Sequence, residues 1–397
     1  MKTGGPTAAV AGFDPFDPEI QADPYPSYRW LRREAPCYYV EPRDMWVLSR
    51  YDDVRSALRD HDRFSSAEGI GYRRRPTFDM ITSDPPVHTR LRRTVNRHFL
   101  PRAMMALRPR IEVLAAELLD ELIERRDGDW VAMVAEPLPI IVIAELLGIR
   151  PEDRLLFKRW SDAIIARTGG DLPPDAEAEA ECARAELVDF LRSELGDRAR
   201  HRCGTEEQLL SVLTDAATAG ALTEMEAVTF CMLLLVAGNE TTTNAIGNGA
   251  LAVTENGVWP MLRTDPSLAG ATVEEILRFD APIQGLFRTT LSAVEVAGTT
   301  IPPGSRVQLL YGSANRDETQ FPDPDRFDLR RGSGEHLAFG SGIHHCLGAP
   351  LARLELEVLV TETARRLRRF ELVGDPVRTS SPLVRGLLSL PIRVVPA

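Results

Sequence analysis

The chain has 397 residues, of which 44% are hydrophobic and 26% are charged, and these are ordinary values for a globular protein with a large core. Its formal net charge of -11 argues against nucleic acid as the main partner. Five cysteines at irregular spacing predict reduced thiols in the cytoplasm and exclude a disulfide framework. Neither a signal peptide nor an apolar run long enough for a membrane span is visible, so we expect no membrane partner.

The N-terminal region predicts an irregular arm, a strand and an arginine-rich loop. Residues 1–24 are rich in Gly, Pro, Ala and Asp and predict an irregular arm. Residues 46–49 follow a turn-like segment and predict a strand. The loop at 70–81 contains three consecutive arginines at 73–75. These arginines indicate either a solvated turn or a clamp for an anionic substrate or a tethered carrier.

A basic helix is predicted at residues 87–98, after two prolines. At about 100° per residue, His88 and Arg92 share one face of this helix. Three further arginines fall on the opposite face: Arg90, Arg93 and Arg97. The pattern allows a wholly solvated helix. It also allows one face to bind an anionic cofactor while the other face meets an acidic partner in solvent.

Helical patterns dominate as far as residue 279, with a break at 169–174 that predicts a mobile surface loop. The chain then changes character, because two apolar runs around 301–304 predict a β-hairpin and residues 372–395 predict further short strands. The fold class is therefore mainly α (α+β) with small sheets. The remaining predicted helices cover residues 103–126, 136–147, 151–167, 175–197, 206–216 and 223–256.

The last of these helices has an unusual centre. It opens with Thr223 and Glu226 in capping-box spacing and is then apolar on every side, which is typical of a helix inside a large core. Residues 238–243 break this pattern with a glycine, three threonines and Glu240. Two interpretations remain open. One is a kinked helix with threonine side chains bonded to the preceding turn; the other is a groove where oxygen sits and protons arrive.

A cysteine stands between glycines before the predicted helix at 347–368. Residues 339–348 read F-G-S-G-I-H-H-C-L-G, so that Cys346 precedes the helix directly. Backbone N–H groups and the helix dipole favour a thiolate at such a position. Gly342 permits a turn that is closed to residues with side chains, and Gly348 permits the close approach of a flat ligand.

Four roles suit Cys346: an inert buried residue, a zinc ligand beside His344 and His345, a nucleophile, or a thiolate ligand of haem. A zinc site lacks a C-x-x-C or H-x-x-x-H partner elsewhere in the sequence. A nucleophile lacks a family signature for its base. A haem ligand agrees with the surrounding glycines.

The spacing F-x-x-G-x-H-x-C-x-G resembles the haem-binding signature of the cytochrome P-450 superfamily. The sequence A-G-N-E-T-T at 237–242, about 105 residues earlier, resembles the acid–alcohol motif of that family. Glu275 and Arg278 resemble its E-x-x-R pair, and Arg326 in Pro-Asp-Arg-Phe resembles the arginine that completes a buried structural triad. The resemblance covers the chain after the arm. It implies a single helix-rich domain at 25–397, with haem between the long oxygen-binding helix and the cysteine loop.

The resemblance also implies site residues. Cys346 would ligate the iron of haem b, Glu240 would be the proton-relay acid, and Thr241 would be the hydroxyl that stabilises iron-bound peroxide. The implied propionate contacts are His88, Arg92, Arg288 and His344, and the rest of the cofactor site is Ala237, Gly238, Phe339, Gly340 and Gly348. The implied substrate pocket contains Phe78, Ile81, Leu233, Val236, Ile283, Gln284, Leu286 and Val384.

The implied activity is that of a soluble bacterial monooxygenase, which inserts one oxygen atom from O2 into a small organic substrate by hydroxylation, epoxidation or dealkylation. Electrons would come from an external ferredoxin or flavodoxin, because the sequence has no G-x-G-x-x-G fingerprint or flavin module. We expect a monomer. One alternative is a peroxide-driven or ring-coupling haem-thiolate oxidase, which the Glu240–Thr241 pair disfavours. Another is a non-catalytic haem-thiolate sensor, which the lack of an output domain disfavours.

Overall fold

The computed structural model describes residues 12–75, 79–166, 173–201, 208–332 and 335–397. Helices dominate these residues, and the strands form small sheets. None of the described helices has the length and apolar character that a bilayer span requires. In chain order, helices α1 to α15 are Pro18–Ala22, Tyr25–Glu34, Tyr51–Arg59, Val87–Val95, Pro101–Met105, Arg108–Arg125, Pro137–Leu147, Arg154–Ala166, Pro174–His201, Leu209–Thr218, Glu224–Glu255, Trp259–Thr264, Ala269–Phe279, Tyr311–Ala314 and Ala349–Arg366.

Helix α11 organises the core. The backbone N–H of Glu226 donates to the Thr223 hydroxyl at 3.2 Å, and the Glu226 carboxylate accepts from the Thr223 N–H at 2.8 Å, so the predicted capping box is formed. The helix ends within one residue of the predicted bound. It packs against α7, α8, α9, α13 and α15, and these helices contribute to the largest apolar cluster of the described residues. A helix that is surrounded in this way can be apolar on every side.

Two predicted helices are shorter than expected. The basic helix α4 stops at Val95 and continues as a 3-10 turn at Asn96–Phe99. The helix predicted at 103–126 is divided into α5 and α6, with Pro109 in the first turn of α6. Proline suits the first turn because it has no N–H to leave unbonded, so a new helix begins there. Residues 169–172 of the surface loop predicted at 169–174 lie outside the described residues.

The strands form four small sheets. The largest has the order β1-β2-β8-β5-β3, in which β2 and β8 are parallel and the other pairs are antiparallel. The second has the order β4-β12-β9, and β6–β7 and β10–β11 are two-stranded. Strands β1 to β12 are Cys37–Val40, Met45–Leu48, Phe64–Ser65, Asp127–Asp129, Leu286–Thr290, Val294–Val296, Thr299–Ile301, Arg306–Leu309, Leu367–Leu372, Val377–Arg378, Leu387–Ser389 and Pro391–Pro396.

The hairpin predicted around 301–304 is wrong. Strand β6 pairs with β7, and the turn between them is Ala297–Gly298, whose φ angles are 50° and 77°. A two-residue turn with positive φ at both positions matches the twist of antiparallel strands. Strand β8, which the sequence suggested as the partner of β6, pairs with β2 and β5 instead.

The irregular arm predicted at 1–24 is also partly wrong. Asp17 caps α1 by accepting from the N–H of Glu19 at 2.8 Å, and Pro18 occupies the first helical position. Phe13 is only 1% exposed and belongs to an apolar cluster with Tyr28 and Leu31. The described part of the arm is therefore attached to the body of the protein.

The predicted buried triad requires one correction. Glu275 binds Arg278 through two hydrogen bonds of 2.7 and 2.8 Å, but the third member is Arg331, whose Nε lies 3.3 Å from Glu275 Oε1. Arg326 is exposed. Its backbone carbonyl turns inward and accepts hydrogen bonds from Arg278 and Arg331. The N–H of Asp328 also binds Glu275, at 2.7 Å. Because the backbone wraps the carboxylate here, the Arg326 side chain points to solvent.

Candidate active site

A cavity of about 680 Å³ lies between the centre of α11 and the segment that leads into α15. Its wall is largely apolar, with a few convergent polar groups, which is typical of a small-molecule site. The residues that the motifs assigned to the cofactor and the proton relay all line it: His88, Arg92, Ala237, Gly238, Glu240, Thr241, Arg288, Phe339, Gly340, His344, Cys346 and Gly348.

Six of the residues predicted for the substrate pocket line the same cavity: Ile81, Leu233, Val236, Ile283, Leu286 and Val384. Phe78 lies outside the described residues. Gln284 is a correction, because its side chain does not line the cavity. Its Nε2 donates to the carbonyl of Ala281 at 2.8 Å, and its amide lies against Gly312, where a Cβ would come within 2.3 Å of Oε1. This amide therefore holds the turn after α13.

The cysteine loop, residues 339–348, is a tight turn that packs against helix α3. The N–H of Cys346 donates to the carbonyl of Phe339 at 2.9 Å and closes the loop. Gly342 has a φ of 73°, and a Cβ there would lie 2.5 Å from the carbonyl oxygen of Leu58. A Cβ at Gly348 would meet no protein atom within 4 Å. Helix α15 begins at Ala349, two residues later than predicted, and gives way to β9 after Arg366.

The Cys346 thiol is influenced by opposing effects. Burial raises its pKa, while the N–H groups of Gly348 and Ala349 and the charges of Arg92 and Arg353 act to lower it. The sequence argument named only the helix N-terminus, and burial is the larger effect. Coordination to a metal cation deprotonates a thiol outright, so burial of this kind does not oppose a role as a metal ligand.

The opposite wall of the cavity belongs to α11. The Thr241 hydroxyl donates to the carbonyl of Ala237 at 2.7 Å, which is the back-bonding that the sequence allowed. The helix nevertheless continues without a break through this region. Glu240 is half-buried at the cavity wall. Gly238 permits close packing, because a Cβ there would lie 3.3 Å from Ile143 of α7. Helix α11 thus places the Thr241 hydroxyl and the Glu240 carboxyl at the wall of the same cavity.

Two histidines and two arginines meet at one side of the cavity. The rings of His88 and His344 lie 4.4 Å apart, and neither nitrogen of His88 nor Nε2 of His344 has a hydrogen-bond partner among the described residues. Burial, together with nearby arginine charges, lowers the pKa of His88 to about 4 and that of His344 to about 2. Arg288 donates to the carbonyl of Phe287 at 2.8 Å. Buried, unpartnered nitrogens beside two guanidinium groups suit an anionic ligand such as the propionates of haem.

Arg92 also supports the cysteine loop directly. Its guanidinium donates to the carbonyls of Ile343 at 3.2 Å and His345 at 2.7 Å. On the other face of the basic segment, Arg90 binds Glu226, whereas Arg93 and Arg97 are exposed. The predicted division into an inner and an outer face is therefore present, although Arg90 is engaged within the protein.

Arginines 73–75 lie at the cavity wall and are exposed. Arg74 binds Glu68 and the carbonyl of Gly304, and Arg75 lies 3.3 Å from Glu177 of α9. At least two of the three arginines are thus already paired within the chain, and the structure gives no preference to an anionic substrate.

The most unusual of the cavity residues that the sequence argument missed is a buried carboxyl. Glu355 on α15 is 2% exposed and lines the cavity, and its Oε2 has no partner in the part of the chain that the structure describes. Burial raises its pKa to about 8. A signal was present, because Glu355 stands between Leu354 and Leu356 in the apolar part of the predicted helix. A lone carboxyl among apolar positions marks either a buried ion pair or a group that keeps its proton.

The family model described as cytochrome P-450 matches residues 21–138 and 263–393. The chain is 40% identical to the cytochrome P-450 monooxygenase PikC of Streptomyces venezuelae, over 94% of this chain and 92% of PikC. The structure of CYP109Q5 from Chondromyces apiculatus matches with a TM-score of 0.88 and 37% identity, over 98% of this chain and 100% of that one. The structure of CYP109E1 from Bacillus megaterium in complex with testosterone matches with a TM-score of 0.87 and 35% identity, over 95% of this chain and 99% of that one. The chain therefore belongs to the cytochrome P-450 superfamily of haem-thiolate monooxygenases.

Proposed function

We propose that Cys346 ligates haem b in this cavity and that the protein inserts one atom of O2 into a small organic substrate. The single observation that carries the proposal is the position of this thiol. Of the four cysteines in the described part of the chain, Cys346 alone lines the cavity, opposite the hydroxyl of Thr241. Haem, when bound, supplies the redox chemistry that activates O2. The roles below belong to side chains of this chain.

The basic side of the cavity holds the cofactor. His88 and His344 contribute unpartnered ring nitrogens, and Arg92 and Arg288 contribute charge. A carboxylate that enters this region accepts charge-assisted hydrogen bonds and favours protonation of the imidazoles. Gly348 leaves room for a flat ring beside the cysteine loop.

Thr241 and Glu240 move protons in this proposal. The Thr241 hydroxyl donates its hydrogen bond to the carbonyl of Ala237, so its oxygen can accept a hydrogen bond from water in the cavity. Glu240, one residue earlier, supplies an exchangeable proton within reach of the cavity water. Substitution of either residue then affects how protons arrive without removing the cofactor site.

The substrate in this proposal is a mainly apolar organic molecule. The cavity has an aliphatic wall, which consists of Leu233, Val236, Ile283, Leu286 and Val384. A wall of this kind binds by burial of apolar surface, and testosterone in the similar CYP109E1 structure is a ligand of that kind. The reaction class is hydroxylation, epoxidation or dealkylation. An external ferredoxin or flavodoxin would deliver electrons to a monomer in the cytoplasm.

The test is the absorption spectrum of the ferrous–CO complex. Wild-type protein should show the red-shifted band of thiolate-ligated haem, and Cys346→Ser should lose it. Cys182→Ser is the matched control, because Cys182 is an exposed thiol on α9. If Cys346→Ser keeps the band, or if wild type lacks it, the ligand assignment is wrong.

Two further measurements test the activity. A spin-shift screen of the holoenzyme against steroids and fatty acids reports which class enters the cavity. Consumption of NADH through a ferredoxin and its reductase, with formation of an oxygenated product, separates a monooxygenase from a sensor. Product formation that requires added peroxide and ignores NADH would favour the peroxide-driven alternative.

A further inference from the structure

A charged network lies beside the cysteine loop and has no part in the proposed chemistry. Glu274 on α13 accepts two hydrogen bonds from Arg353 on α15, from Nε at 2.6 Å and from Nη2 at 3.0 Å. It also lies 3.1 Å from Nε2 of His336. Burial raises the pKa of Glu274, but hydrogen bonds from His336 and Arg353 outweigh it and lower the pKa to about 2. Glu274 is therefore a carboxylate that joins two segments flanking the loop.

The hydrogen bonds of His336 fix its tautomer. The N–H of Ala338 donates to Nδ1 at 3.2 Å, so Nδ1 is the acceptor. The proton then sits on Nε2, which donates to Glu274. With this tautomer the imidazole is neutral, its side chain is fully buried, and both of its nitrogens are satisfied. The charges of the network are consequently one carboxylate and one guanidinium.

The network reaches the cysteine through Phe339 and Arg353. The Arg353 guanidinium lies over the Phe339 ring, 4.5 Å from its centroid, and the Phe339 carbonyl accepts from the N–H of Cys346. Arg353 is also one of the two arginines whose charge acts on the Cys346 thiol; the other is Arg92. Arg92 donates to backbone carbonyls, whereas Arg353 faces a carboxylate through two hydrogen bonds.

We propose that Glu274 is a positioning residue that sets the reduction potential of the cofactor, by neutralising Arg353 and holding it on Phe339 beside Cys346. This inference rests on the proposed ligation by Cys346. A positive charge near the iron stabilises the reduced centre, because reduction adds an electron there. Neutralisation of Arg353 by Glu274 therefore keeps the potential low.

The experiment is spectroelectrochemical titration of the holoenzyme. Glu274→Gln should raise the reduction potential, because Arg353 loses its counter-charge. Arg353→Gln should lower it, because Glu274 is then left without its cation. The double variant Glu274→Gln/Arg353→Gln should lie between the two single variants and close to wild type. Glu357→Gln is the matched control. Glu357 lies on α15, as Arg353 does, and accepts a hydrogen bond of 2.7 Å from Arg108 of α6, so this variant also removes a carboxylate from an arginine pair.

The sign pattern decides the result. The proposal is overturned if the reduction potentials of the two single variants shift in the same direction. It is also overturned if the potential of the double variant differs from wild type more than that of either single variant, because the network would then act only by supporting the structure. An equal shift in Glu357→Gln would also overturn it. If Glu274→Gln does not retain haem, the Arg353→Gln shift decides alone: a decrease supports the proposal, and no change or an increase contradicts it. A wild-type protein without the thiolate CO band would instead show that the proposed ligation has failed.

Discussion

Two glutamates on neighbouring helices are buried to the same degree and behave in opposite ways. Glu275 on α13 and Glu355 on α15 are each 2% exposed. Glu275 accepts from Arg278, Arg331 and the N–H of Asp328. Glu355 lines the cavity, its Oε2 has no partner within the described ranges, and burial raises its pKa to about 8. One carboxyl is paired with guanidinium groups, while the other avoids the cost of a buried charge by keeping its proton.

The largest effect is expected at the paired site. Glu275→Gln removes the charge that balances Arg278, whose side chain is fully buried. We expect the free energy of unfolding to fall by about 3–5 kcal/mol, because a buried guanidinium loses its counter-charge. Urea unfolding of the holoenzyme measures this. Glu121→Gln breaks an exposed pair with Arg125 and should cost less than about 1 kcal/mol. Equal losses in the two variants would remove the distinction between buried and exposed pairs.

The next effect concerns pH and the unpaired site. Unfolding returns Glu355 to its ordinary pKa of 4.5, whereas the folded group titrates at about 8. The folded state therefore holds an extra proton between these values, and its contribution to stability is complete below pH 4.5 and lost as the pH rises to 8. Relative to wild type, Glu355→Gln should gain up to about 3 kcal/mol of unfolding free energy between pH 4.5 and 7. A difference that is flat with pH would mean that Glu355 is ionised in the folded protein.

A smaller effect is expected for the hydroxyl across the cavity. Thr241→Ala should leave substrate binding intact and reduce product per NADH roughly tenfold, with peroxide released instead. Thr243→Ala is the matched control, because Thr243 lies two residues further on α11 and does not line the cavity. Glu240→Gln should slow turnover more than it uncouples turnover. Unchanged coupling in Thr241→Ala would restrict this hydroxyl to its bond with Ala237.

The smallest effect is expected on the outer surface, where charges have full access to water. Arg93→Glu should slow reduction by ferredoxin a few-fold at low salt without a change in substrate affinity, because steering acts on association. Added salt should slow wild type more steeply than the variant, since exposed charges are screened over about 8 Å. Arg369→Glu is the control, because it makes the same charge change at a different place, on β9. Identical rates and salt slopes for all three proteins would place the docking surface elsewhere.

These contrasts show where sequence reasoning succeeds. The bounds of α11 could be predicted because the capping box and the apolar run are local features. The turn at Gly342 could be predicted because a glycine there reflects steric closure by a neighbour. The cofactor-site residues from α4, α11 and the cysteine loop were implied by the resemblance to family motifs, and they all line one cavity.

The corrections have a common physical origin in backbone direction. Arg326 and Arg331 lie in one irregular segment, and the sequence does not indicate which of them directs its side chain at Glu275 and which its carbonyl. Gln284 follows a helix end in the same way, and its amide serves the turn instead of the cavity. In the hairpin, the positive φ of Ala297 was unexpected because alanine rarely adopts it. Such choices depend on tertiary contacts that local patterns do not contain.

The two glycines of the cysteine loop constrain protein engineering in different ways. Position 342 is closed by the protein itself, because a Cβ there would meet the Leu58 carbonyl at 2.5 Å on a backbone with positive φ. Position 348 has an ordinary φ of -81° and open space in front of it, so alanine suits the polypeptide and competes only with whatever occupies the cavity. A mutant library that varies both positions therefore separates two kinds of failure: misfolded chains at 342, and folded chains with weakened cofactor binding at 348.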